Sequence, residues 1–185
     1  MLAAVIVLAV LLAIAICLLV AMALRERRSA ALHHQFGPEY DRAVDERGSR
    51  RQAERDLAQR SERHRQLQIR PLDAMQREAF AASWRSVQAR FVDEPRESVA
   101  DADALVRDVM SERGYPMADF EKQSADLSVE HADVVEHYRL AHNIRALDAD
   151  HGATTEELRA AMVHYRQLFD SLLAPEQTPA GTGRR

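Results

Sequence analysis

The sequence contains little cysteine, lysine and glycine. Its single cysteine, Cys17, cannot form a disulfide within the chain, which fits a reducing compartment such as the cytoplasm. With only 6 glycines, a glycine-lined loop for a phosphate or dinucleotide cofactor is not expected. No segment alternates apolar and polar residues with the period of a β-strand. These deficits exclude a disulfide scaffold and a sheet-based fold, and they favour an all-helical chain.

The sequence also has no recognisable catalytic motif. It contains no G-x-x-x-x-G-K, G-x-S-x-G or H-E-x-x-H pattern. His131 and His142 share a helical face but lie about 16 Å apart along a helix, which is too far for both to bind one metal ion. Only an unforeseen tertiary arrangement would bring His137 or His164 close to them. The sequence therefore predicts no catalytic residue, no cofactor and no metal site.

One long apolar run dominates the N-terminal part of the chain. Residues Leu2 to Leu24 carry no charge, proline or glycine, and as a helix they would be about 34 Å long. A hydrocarbon core is about 30 Å thick, so this run predicts a single transmembrane helix. Cys17 is interpreted as one more small apolar residue of this helix.

The residues that follow the run predict its orientation. Arg25, Arg27 and Arg28 come directly after Leu24, so the positive-inside rule places the rest of the chain in the cytoplasm, on the plasma (inner) membrane of a bacterium. An alternative stays open, because Ala21 and Ala23 form an A-x-A pattern at which a signal peptide is cleaved. The domain would then lie on the exterior face or be secreted as an envelope-associated factor.

Residues 25–70 are rich in arginine and poor in large apolar side chains. Gly37-Pro38 predicts a turn followed by a helix that reaches Gln68, with Gly48 weakening its middle. The segment is interpreted as a solvated, salt-bridged stalk that self-associates weakly at best. Its arginines are interleaved with acidic residues that would repel phosphate, which argues against nucleic acid as a partner.

Residues 71–173 show helical periodicity with short connections. Asp73 with Gln76, and Thr154 with Glu157, form capping boxes at two helix starts, and Gly114 predicts a helix end. Further predicted boundaries are a short helical segment from Met117 to Ala125, a helix capped by Ser128, and a break at Gly152. The segment predicts a small antiparallel helical bundle, followed by a disordered tail at residues 174–185.

Four aromatic residues are candidates for contact with a partner: Trp84, Phe91, Tyr115 and Phe120. Trp84 and Phe91 belong to a regular apolar stripe, and Tyr115 and Phe120 flank the turn after Gly114. Large aromatic side chains anchor many protein interfaces. The same regular spacing also fits residues of the bundle core.

Three stretches, W84-RSVQARFVDEP, A100-DADALVRDVMSERGYPMADFE and A161-MVHYRQLF, give the chain a resemblance to a group of bacterial proteins. It resembles uncharacterised single-pass membrane-anchored all-helical proteins over roughly residues 36–172. The resemblance implies one N-terminal anchor and a helical C-terminal domain, and it implies no activity and no site residues. Together these observations predict a membrane-anchored helical protein-interaction module or scaffold, and not an enzyme.

Overall fold

The computed structural model describes the backbone of residues 2–175 and the side chains of residues 11–149 and 152–175. The described residues form helices and no strand, which confirms the all-helical prediction. The helices are α1 (Leu2–Phe36), α2 (Pro38–Arg47), α3 (Arg50–Gln66), α4 (Ala74–Arg90), α5 (Pro95–Arg113), α6 (Phe120–Leu127), α7 (Val135–His151) and α8 (Thr155–Leu173). The chain divides into two compact units, Met1–Ala58 and Gln59–Arg185.

The first unit contains more buried structure than a solvated stalk would have. Gly37 adopts positive φ at the predicted turn. Gly48 also adopts positive φ, so the chain turns once more within the segment from Pro38 to Gln68 that was predicted as one helix. Within the unit, a small apolar core forms from Phe36, Tyr40, Ala43, Ala53 and Leu57. The sequence did not predict this core, because its apolar residues are spread over three helices and form no continuous apolar stripe on any one of them.

The predicted membrane span lies within α1. Across the residues that the structure describes, no helix combines the length and the apolar character needed to cross a membrane. The side chains of residues 2–10, which begin the predicted span Leu2–Leu24, lie outside the described residues. The transmembrane anchor stays a prediction.

The second unit is a helical bundle built mainly from α4, α5, α7 and α8. Helix α8 packs against both α5 and α7, and α4 packs against α5. The core is formed by large side chains that include Val99, Val106, Tyr138, Tyr165 and Phe169. The capping boxes at Asp73 and Thr154 are both present, and Gly114 ends α5 with φ 96°, as the sequence predicted.

Two predicted boundaries differ from the structure. Ser128 does not start the helix that follows it, because its Oγ donates to the Ala125 carbonyl oxygen (2.7 Å) and so closes α6; α7 begins at Val135. The second unit begins at Gln59, where the sequence predicted a boundary after residue 70. The Arg70 backbone N–H donates to the Arg113 carbonyl oxygen (2.9 Å), which ties the preceding segment to the bundle. Of the predicted disordered tail, residues 176–185 lie outside the described residues.

Candidate functional site

A groove of about 250 Å³ lies between α4 and α8 of the second unit. It is too small for a dinucleotide and matches one or two large side chains, since pockets for small molecules start at about 300 Å³. Its lining combines apolar side chains with two arginines: Trp84, Gln88, Phe91, Arg159, Met162, Val163 and Arg166.

Helical spacing explains why these side chains meet. On α8, Arg159, Val163 and Arg166 follow one another at intervals of four and three residues, so they share one face of the helix. Trp84 and Gln88 are likewise four residues apart on α4, and Phe91 follows at its C-terminal end. The two helices run antiparallel here, because Trp84 contacts Phe169 while Gln88 contacts Arg166.

Trp84 forms part of the groove although its side chain is mostly buried. Only 4% of its surface is exposed, and its ring stacks on Phe169 with the centroids 4.7 Å apart. The indole Nε1 has no hydrogen-bond partner among the described residues. A buried N–H without an acceptor is costly, so this indole N–H destabilises the folded state.

Two arginines give the groove a positive rim. Arg166 donates from Nη1 to the Gln88 Oε1 (3.1 Å) and from Nε to the Asp170 carboxylate (3.2 Å), and Arg159 forms an ion pair with Glu156. These pairs are exposed to solvent, so each contributes little to stability and either guanidinium can exchange its partner at low cost. The groove can therefore accept an apolar group that carries acidic neighbours.

The structure brings together two of the four candidate partner-contact residues. Trp84 and Phe91 line the same groove, and Phe91 is half-buried. Tyr115 lies elsewhere and is only 3% exposed; its hydroxyl donates to the Glu130 carboxylate (3.0 Å), and the Arg113 guanidinium lies 5.8 Å from its ring centre. Burial raises the pKa of Tyr115, so this phenol stays protonated and serves the packing of the turn after α5.

Phe120 lines a different cavity. Its ring stacks on His142 at 3.6 Å between centroids, and burial lowers the pKa of this histidine, as expected for an imidazole covered by an aromatic ring. The cavity has a volume of about 280 Å³, and its lining also includes Asp103, Arg107 and Arg145. Asp103 is buried and accepts a hydrogen bond from the Tyr165 hydroxyl (3.0 Å), so the carboxylate already has a partner within the core.

The histidines considered as possible metal ligands do not form one group. His131 Nε2 lies 3.2 Å from Arg113 Nη1, and its Nδ1 lies 2.8 Å from Ser171 Oγ. His137 and His164 are brought together by α7 and α8, with their Nδ1 atoms 2.9 Å apart. Within the described part of the chain, no three histidine, cysteine or acidic side chains are grouped so that they could hold a metal ion.

Sequence reasoning missed the α8 half of the groove. Arg159, Val163 and Arg166 lie beside the apolar stripe of α8, and the sequence alone indicated no role for them. The detectable signal was the spacing itself, since two arginines seven residues apart bracket an apolar residue on one helical face. Their pairing with Trp84 and Phe91 depends on tertiary packing, because α4 and α8 both pack against α5 and so come to lie side by side.

Comparison with known proteins gives no further assignment. Neither a protein-family model, nor a curated protein, nor a solved structure matches this chain.

Proposed function

We propose that this protein is a membrane-anchored helical module that binds a partner protein through the groove between α4 and α8. The observation that carries the proposal is the composition of that groove: an aromatic floor from Trp84 and Phe91, bordered by Arg159 and Arg166. Interface hot spots are enriched in tryptophan and arginine, and they cluster in well-packed pockets. We propose binding and not catalysis as the role of this site.

The anchor is supported by exposed apolar side chains in α1. Nine large apolar residues between residues 11 and 24 are each more than half exposed: Leu11, Leu12, Ile14, Ile16, Leu18, Leu19, Val20, Met22 and Leu24. A helix that is apolar on all sides needs a lipid or protein environment to cover it. Together with residues 2–10 of the same apolar run, this segment has the length and composition of a membrane span.

A topology experiment tests the anchor and its orientation. Reporters that are active on only one side of the membrane are fused after Leu173, and the size of the protein in the same cells shows whether the N-terminal segment is retained. We expect an uncleaved protein with a cytoplasmic reporter signal, because Arg25, Arg27 and Arg28 follow the apolar run. An exterior signal or a shortened chain would instead support the envelope-associated alternative.

The groove favours an amphipathic partner helix with a large apolar side chain between acidic residues. The volume of about 250 Å³ accommodates that side chain, and the two guanidinium groups at the rim complement carboxylates on either side of it. Binding of a helix in a groove by spaced apolar anchors is a common mode of recognition.

Site-specific photo-crosslinking tests the groove directly. A photoreactive amino acid replaces Val163 in the groove or, as the control, Leu147 on α7; both side chains are 54% exposed. We expect one defined protein adduct from position 163 and none of that size from position 147. The adduct should disappear in an R159E/R166E background, because reversed charge repels an acidic partner.

Two results would contradict the groove as the binding site. Equal adducts from positions 163 and 147 would mean that the crosslinking is non-specific. An adduct that survives R159E/R166E would mean that the partner is not held by the arginine rim. Circular dichroism of each variant shows whether the bundle remains folded, which is expected because all the changed side chains are exposed.

A further inference from the structure

A cavity of about 350 Å³ in the first unit is lined by four arginines. Arg25 and Arg28 come from α1, and Arg51 and Arg55 come from α3; the rest of the lining is Leu32, Glu54 and Ala58. On α1, Arg25, Arg28 and Leu32 are spaced by three and four positions. On α3, Arg55 follows Arg51 by four positions and Ala58 follows by three more, with Glu54 next to Arg55. Each helix therefore presents one basic face to the cavity.

Among the described residues, none of these four arginines forms an ion pair. By contrast, Arg42 pairs with Glu46 at 2.6 Å and Arg47 pairs with Asp56 at 3.4 Å. Four like charges gathered around one cavity repel one another, and an anion in the cavity would relieve this repulsion.

Glu54, the single acidic residue of the lining, already has partners of its own. Its Oε1 accepts hydrogen bonds from Ser29 Oγ (2.6 Å), from the Tyr40 hydroxyl (2.9 Å) and from Arg50 Nε (3.0 Å). Burial raises the pKa of Glu54, but these hydrogen bonds outweigh burial and lower it below the usual value. The carboxylate is thus held by Arg50, which does not line this cavity, and the four cavity arginines stay available.

The position of the cavity points to the class of anion. Arg25 follows Leu24 directly, so two of the four arginines lie at the end of the apolar run of α1. In a membrane-anchored chain that end is at the depth of the lipid headgroups, where anionic lipids attract basic residues. Guanidinium groups bind two phosphate oxygens at once, whereas a lysine ammonium acts as a point charge. Arginines are therefore well suited to a phosphodiester headgroup.

We propose that this cavity binds the phosphate headgroup of an anionic phospholipid, held by Arg25, Arg28, Arg51 and Arg55. The proposal rests on the membrane anchor proposed above, since only an anchored chain holds the cavity at the headgroup layer. The bound lipid would bridge α1 and α3 and so fix the first unit at the membrane surface.

Lipid titration of the full-length chain in detergent micelles tests this proposal. The ligands are short-chain phosphatidylglycerol, phosphatidylcholine with the same acyl chains, and inorganic phosphate, and binding is followed by isothermal titration calorimetry. We expect phosphatidylglycerol to bind about tenfold or more tightly than phosphatidylcholine, and R51Q/R55Q to lose that preference. The matched control is R42Q/R47Q, which removes two positive charges from paired arginines of the same unit.

Each other outcome overturns the proposal in a distinct way. Equal loss in R42Q/R47Q would mean that net charge, and not the cavity, attracts the lipid. Inorganic phosphate that competes as well as phosphatidylglycerol would identify a free anion as the ligand. Equal binding of phosphatidylglycerol and phosphatidylcholine by the unsubstituted chain would show that the cavity does not bind an anionic headgroup. Alkaline carbonate extraction of cell membranes is run separately, so that failure of the anchor is distinguished from failure of the lipid site.

Discussion

Removal of the Tyr165 hydroxyl is expected to destabilise the bundle more than removal of the Tyr138 hydroxyl. Both rings are fully buried in the same core, so tyrosine-to-phenylalanine changes delete the same atom in a similar environment. The Tyr165 hydroxyl donates to the Asp103 carboxylate at 3.0 Å, and the Tyr138 hydroxyl donates to the Gln123 amide oxygen at 3.2 Å. The two substitutions therefore differ mainly in the charge of the acceptor left behind.

The difference can be estimated from this charge. Asp103 is 3% exposed, and without Tyr165 its remaining ion pair is with Arg145 at 3.5 Å. Loss of a hydrogen bond to a charged group costs about 2 kcal/mol, whereas loss of a neutral one costs about 1 kcal/mol. At about 4 °C per kcal/mol for a domain of this size, we expect Y165F to lower the Tm by about 8 °C and Y138F by about 4 °C.

Thermal unfolding followed by tryptophan fluorescence measures both values. Trp84 is the single tryptophan of the chain and packs on Phe169 within the bundle, so its emission reports the second unit alone. A D103N background provides a further comparison, because a neutral acceptor should reduce the cost of Y165F to that of Y138F. The reasoning would be refuted if Y165F cost no more than Y138F, or if D103N left the cost of Y165F unchanged.

Three further changes are expected to affect stability. Gly114→Ala should destabilise the chain by about 2 kcal/mol or more in urea unfolding, because Gly114 has φ +96° and an added Cβ would lie 2.6 Å from the Gln68 carbonyl oxygen. Acidification from pH 7 to pH 4 should remove about 3 kcal/mol of stability through His131, whose pKa is lowered to about 4 by burial and by Arg113. Thr154→Ala should cost about 1 kcal/mol in the same assay, since Thr154 Oγ1 caps the N terminus of α8.

The sign of the pH effect follows from the lowered pKa. The folded protein holds His131 neutral, because Arg113 can only donate and so requires Nε2 of His131 to accept. The contribution to stability is complete above the unfolded pKa of about 6.5 and is lost as the pH falls towards 4. His131→Gln should flatten this pH dependence between pH 6.5 and pH 4, and an unchanged slope in that variant would contradict the assignment to His131.

Matched variants control the other two predictions. Gly152→Ala also places a side chain at positive φ, +78°, but its Cβ would meet only the Arg96 side chain at 3.5 Å. A cost for G114A no greater than that for G152A would show that the contact with the Gln68 carbonyl is unimportant. Thr154→Ser retains a capping hydroxyl, so a loss of stability equal to that of T154A would rule out the cap as the cause.

Local sequence signals predicted the ends of helices well where one residue sets the backbone. Asp73 and Thr154 start α4 and α8 because each side chain accepts a backbone N–H within its own first turn. Gly114 ends α5 because glycine adopts positive φ without a steric cost. The prediction for Ser128 was wrong because a serine hydroxyl can cap the helix that follows it or bond to a carbonyl of the helix that precedes it. The local sequence does not distinguish these two cases.

The amino-acid sequence alone determined the helical class, the capping residues and the long apolar run, because these depend on neighbours within a few positions. The tertiary structure alone decided which distant side chains meet. Val163 and the two arginines of the groove belong to α8, whereas Trp84 belongs to α4. The four arginines of the cavity in the first unit belong to α1 and α3, which are separated along the chain by α2. These contacts depend on how whole helices pack against one another. The free energy of that packing is distributed over many contacts, so no single local sequence pattern predicts it.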